Sequence, residues 1–259
     1  MNLKRITCRR RELKVPKASR TQVASLIPPG FGLRQSSAAL ARYVVMVLGL
    51  FTLATYAADP TAKLVDKEPP KDVDPSIRTV LQPKVIQVLD GDKPKFEFWL
   101  RKDLPLQSKP ESPGKALDAL KQATLIGVVN VPSVQRDYRD DELPAGVYTM
   151  RFALQPQDGN HLGSAEFQYF AVLTPAKLDT KLDGITDYKQ LVKASSKQTT
   201  TDHPVILSLR PPSAEAAETP KVVEPAAEHK SVLLKIPAKA GADPASLAFE
   251  IVVEGKGHK

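Results

Sequence analysis

The feature that most constrains this chain is a set of short runs in which apolar and polar residues alternate one for one. In "KFEFWLR", Phe96, Phe98 and Leu100 share one face, and Lys95, Glu97, Trp99 and Arg101 share the other. In "GVYTMRFAL", Tyr148, Met150, Phe152 and Leu154 share a face. In "SLAFEIVVEG", Leu247, Phe249, Ile251 and Val253 lie opposite Glu250 and Glu254. A period of two places successive side chains on opposite sides of a strand, one side on a core and the other in water, as in antiparallel sheets. Eight runs qualify: 79–89, 95–101, 123–131, 146–155, 166–174, 204–210, 231–237 and 246–254. Pro- and Gly-containing turns such as "DGDKP", "LPAG", "LTPA" and "IPAKAGADP" punctuate them. This pattern predicts an all-β fold, an antiparallel β-sandwich (Ig-like or jelly-roll-like) with one or two short helices. The helices are expected at "SPGKALDALKQA", with Ser112 as N-cap and Pro113 at the first helical position, and at "TDYKQLVKAS". The latter puts Tyr188, Leu191 and Val192 on one face behind a cap at Thr186 or Asp187.

The formal net charge of +8 suggests nucleic acid until its distribution is examined. The first 58 residues hold ten of the 37 bases and one of the 29 acids, which leaves 27 bases against 28 acids in the remainder. The basicity therefore belongs to a leader, and a nucleic-acid partner loses its electrostatic support. Directly after Arg42 comes "YVVMVLGLFTLATYAADP", an apolar run ending in small residues. Basic flank, short apolar run and small-residue end make a signal-peptide pattern, with Thr55 and Ala57 at −3 and −1 for a cut before Ala58. The alternative is an uncleaved anchor, in which case the membrane is met only through the leader; the run is short for a spanning helix. "CRRRELK" stands too far upstream of the apolar run for a twin-arginine signal, and a start codon placed too early accounts equally well for the long basic segment. The sole cysteine, Cys8, lies in the leader. A mature chain without cysteine has no disulfide, thiolate nucleophile or zinc–thiolate site. The expected organisation is a signal peptide over 1–57, a flexible Pro- and charge-rich linker over 58–76, and one β-sandwich domain over 77–259. That domain carries a flexible Pro/Ala/Glu-rich loop at 211–230.

Few residues offer chemistry. In "QPQDGNHLG", Asp158-Gly159 between two alternating runs is a hairpin-turn signal, since glycine takes positive φ freely. The turn reading assigns Gln155, Asp158, Gly159 and His161 a structural role, with His161 hydrogen-bonded near His203. The chemical reading makes Asp158, His161 and His203 ligands of a divalent metal, since histidine and carboxylate suit zinc, iron or copper. It requires the two strand ends to meet. The acids Asp137, Asp140, Asp141 and Glu142 lack the spacing of a calcium loop and read as a solvated turn. His229 and His258 read as solvated, Ser195-Ser196 as lacking a base, and Trp99 as tucked under a loop or the N-terminal linker. Neither G-x-S-x-G, H-E-x-x-H, a P-loop nor G-x-G-x-x-G is present, so no catalytic residue and no organic cofactor is assigned.

The segment 143–176 resembles a group of small, exported, uncharacterised bacterial proteins with the signature P-x-G-x-Y-T-[LM]-R-[FY]-x-x-Q-P-x-D-G-x-H-x-G. It is carried here by Pro144, Gly146, Tyr148, Thr149, Met150, Arg151, Phe152, Gln155, Pro156, Asp158, Gly159, His161 and Gly163. "HPVILSL" at 203–209 is similar to a later strand of the group, "GSAEFQYF" departs from it, and the tail after Pro211 lies outside it. The resemblance implies fold and export; the group brings no activity with it. The reading at this point is an exported, periplasmic or extracellular, non-enzymatic binding or structural module. Its partner is an unknown protein or cell-envelope component, and the alternative is a metal-binding periplasmic protein.

Overall fold

Each alternating run is one rung of a ladder. In the computed structural model, which describes residues 59–137, 141–156, 166–198, 203–226 and 229–255, the strands are β1 (Thr61–Asp66), β2 (Lys84–Asp90), β3 (Lys93–Leu100), β4 (Leu104–Leu106), β5 (Leu125–Val131), β6 (Gln135–Arg136), β7 (Glu142–Leu143), β8 (Gly146–Leu154), β9 (Tyr169–Pro175), β10 (Ile206–Arg210), β11 (Lys221–Ala226), β12 (His229–Ala240) and β13 (Asp243–Glu254). The fold is all-β with few, short helices. One hydrogen-bonded path runs β1-β2-β3-β5-β8-β9-β10-β13-β12-β11, with β4 added parallel to β12 and β6–β7 a separate two-stranded ribbon. Every pairing along the main path is antiparallel. The path curls on itself: Asp59, just ahead of β1, is ion-paired to Lys230 in β12, and Lys95 of β3 meets Glu254 of β13 at 2.7 Å. No helix among the described residues is long and apolar enough to cross a membrane.

The inward set of each strand forms one core. Phe96, Phe98 and Leu100 of β3, Tyr148, Met150 and Phe152 of β8, and Leu247, Phe249, Ile251 and Val253 of β13 all belong to it, as the period-two pattern requires. A 3-10 helix, Pro113–Ala119, adds Ala116 and Leu117 to the same core. Ser112 is its N-cap but makes no side-chain capping bond, and the short helix expected there forms as 3-10 turns.

The outer face is covered twice. Helix α1 (Pro75–Arg78) buries Ile77 with Val73 and Leu81 against Val85, Trp99, Leu125 and Val128. Helix α2 (Tyr188–Ser195) buries Leu191, with Ile185 and Tyr188, against Ala153, Phe170, Val172 and Ile206. Asp187 caps α2 by accepting a bond from the amide of Gln190 at 3.0 Å. Buried Ser195 fastens its far end. Its hydroxyl donates to the carbonyl of Leu173 at 2.6 Å and accepts from the amide of Val205 at 2.9 Å.

Two segments expected to be flexible are built into the sheet. The linker at 58–76 contains β1, which pairs with β2 from Thr61↔Leu89 to Asp66↔Lys84. The loop at 211–230 contains β11, paired with β12, and the Ser213 amide donates to buried Glu250. Both strands are the terminal members of the path, with one paired edge each and little side chain buried. Backbone pairing holds them, and polar composition does not oppose it. His229, expected in solvent, is only 8 % exposed at the start of β12 for the same reason. Asp137, expected on a solvated turn, is buried too. Its amide donates to the carbonyl of Asp141, and its carboxylate accepts from the amide of that residue.

Candidate functional site

The turn expected to hold Gln155, Asp158, Gly159 and His161 follows β8 in the sequence. Gln155 leaves the strand with its amide donating to the carbonyl of Gln168 at 2.8 Å. Asp158, Gly159 and His161 fall at 157–165, outside the described residues. His203 is described and exposed. It precedes β10 at the end where the amide of Leu173 bonds the carbonyl of Val205 and Ile206 faces Val172. Gln155 and Gln168 stand at the other end of β9. Gln168 lies five residues of extended chain from Leu173, on the order of 17 Å. The exit from β8 and the entry to β10 are thus toward opposite ends of β9. Among the described residues, no three His, Cys, Asp or Glu side chains come together as a metal group.

The polar members of the 143–176 segment hold the structure together. Tyr148 points inward and its hydroxyl donates to the carbonyl of Pro144 at 2.8 Å. A Cβ on Gly146 would press on that ring at 3.2–3.3 Å, so glycine fits there. Thr149 and Arg151 point the other way, toward Asp179. The Arg151 guanidinium is 1 % exposed and grips Asp179 bidentately, Nε to Oδ2 at 2.7 Å and Nη2 to Oδ1 at 2.9 Å. Its remaining donors reach the carbonyls of Ala123, Lys181 and Leu182, at 2.9, 2.9 and 3.0 Å. Thr149 adds a 2.7 Å bond to Asp179 Oδ2. A buried, fully hydrogen-bonded pair of this kind fixes one conformation of the 176–185 segment over the sheet.

A second network lies on the outer face of β3. Glu97, almost wholly buried, accepts from Lys67 at 2.7 and 2.9 Å, from Gln87 at 2.8 Å and from Asn130 at 2.9 Å. Burial pushes its pKa up, but the bonds from Lys67, Asn130 and Gln87 together outweigh burial and hold it below the usual glutamate value. Next to it, fully buried Trp99 donates from Nε1 to the carbonyl of Lys67 at 2.7 Å. The N-terminal segment does cover the lone tryptophan.

The third residue of that row, Arg101, is different. It lies just past β3, beyond Trp99, on the face where β5 and β8 present Leu125 opposite Arg151. It is part-buried, its Nε is sealed from solvent, and among the described residues its guanidinium has no hydrogen-bond or ion-pair partner. Burial pulls its pKa down, while the charges of Asp183 and Asp103 act upward and Arg151 acts downward. The side chain lines an open cleft of about 240 Å³, shared with Gln107, Lys121, Arg151, Asp183 and Thr186 and with apolar Pro105, Leu106, Leu182 and Ile185. The sequence pattern places Arg101 on the outward row but carries no sign of this cleft, because its walls come from 101–107, 121–125, 151 and 182–186. No family model, curated protein or solved structure matches the chain.

Proposed function

We propose that the chain is an exported, non-enzymatic all-β module that binds a partner or ligand in the periplasm or outside the cell. The observation that supports the non-enzymatic reading is how its polar groups are engaged. Thr149, Arg151 and Asp179 satisfy one another and the backbone, and Glu97 is held by three donors, so these groups fix loops instead of facing a substrate. Export rests on the leader: a basic segment, the apolar run 43–53 and small residues up to Ala57. The test is expression of the full chain in a bacterial host, followed by fractionation and N-terminal sequencing. Recovery outside the cytoplasm with Ala58 or Asp59 as first residue is the expected result. A chain that stays in the cytoplasm with its leader intact contradicts it.

A further inference from the structure

We infer that the cleft beside Arg101 is a binding site for a short aliphatic carboxylate, a deepening that rests on the binding reading above. Its basis is an unbalanced charge. Arginine keeps its proton at any physiological pH, and the Arg101 Nε is withdrawn from water without a partner, which is costly. The neighbouring Arg151 shows how this fold treats such a group when its role is structural. Every Arg151 nitrogen has an acceptor, from Asp179 or one of three carbonyls. Arg101 receives none of this, although it flanks the same cleft. Nε is sealed, so the Nη donors are the ones left for something that enters.

The walls say what enters. Asp179 neutralises Arg151 and Asp103 is paired with Lys239, so the charges lining the opening are Arg101 and Lys121 against Asp183, one net positive charge. A single carboxylate matches that sum; a phosphate dianion would set two charges beside Asp183. A planar carboxylate also fits the fork of a guanidinium. Around the charge stand Pro105, Leu106, Leu182 and Ile185, which suit a few methylenes, and a volume of about 240 Å³ admits a small ligand only.

Calorimetric titration of the mature chain with butyrate, acetate and inorganic phosphate at matched ionic strength tests this. Butyrate is expected to bind saturably and more tightly than acetate, and phosphate least. Arg101→Met should weaken butyrate by at least about tenfold, and Arg101→Lys, which keeps the charge without the fork, by less. Asp183→Asn should tighten it. Because Arg101 has no partner to lose, Arg101→Met should melt no lower than the wild type in ligand-free buffer. Absence of saturable butyrate binding, phosphate as the tightest ligand, undiminished binding by Arg101→Met, or a large drop in its melting temperature each overturns the assignment. An exported chain that fails to bind butyrate sinks the cleft alone; one that binds butyrate but is not exported sinks the envelope reading alone.

Discussion

Two arginines separated by one strand illustrate how burial sorts charged side chains by role. Arg151 and Asp179 are each about 1–2 % exposed and bonded at 2.7 and 2.9 Å, so removing one partner strands the other in a dry site. Asp179→Ala should cost about 3–5 kcal/mol of unfolding free energy, and an Arg151→Met/Asp179→Leu double variant much less, because breaking a buried pair costs more than replacing it. Denaturant unfolding of the three chains measures this, and a double variant as unstable as the single one would count against it. Glu97 makes a pH-dependent case. Its folded pKa lies below its ordinary value of about 4.3. Its contribution is therefore fully present above that value and is lost as pH falls through the folded one. Glu97→Gln should melt below the wild type at neutral pH, and the gap should close as the buffer is taken toward pH 3; a gap independent of pH contradicts the network. Neither network is legible in the sequence. The alternation puts Thr149, Arg151 and Glu97 on outward rows, but Asp179, Lys67 and Asn130 come from other elements, and only the folded chain brings them together.

Among the elements, all eight runs with a clear two-residue period form strands, because each buries one face in a shared core. Helix α2 is equally readable from its apolar face and its aspartate cap. Asp187→Ala should cost about 1 kcal/mol, read as a modest fall in melting temperature. Of the strands that escape the pattern, β4, β6 and β7 are two or three residues long, and β1 and β11 stand at the ends of the path, where one paired edge needs no apolar alternation. Linker-like composition reports the lack of a buried face and says nothing about backbone pairing. The role of β1 is testable through the lone tryptophan, since Lys67 immediately after it caps Trp99. Starting the mature chain after Lys67 should shift Trp99 emission to longer wavelength and lower the melting temperature; unchanged emission would contradict the cover. The QPQDGNHLG turn stays an expectation of the sequence, with Asp158 and His161 outside the described residues and His203 at the far end of β9 from Gln155.

Across the described residues, one core fills the inside of the curled sheet, and two smaller covers, α1 with its neighbours and α2, close parts of its outside. Between those covers the outer face holds both a sealed arginine and an open one. The two divide the work: the sealed arginine serves stability and the open one serves binding. Proton–nitrogen correlation of the arginine Nε–H groups, followed during butyrate titration, tests it most directly. The Arg101 signal should move saturably with ligand, while the Arg151 signal stays fixed and exchanges slowly with water. A stationary Arg101 signal, or an Arg151 signal that moves in its place, would contradict it.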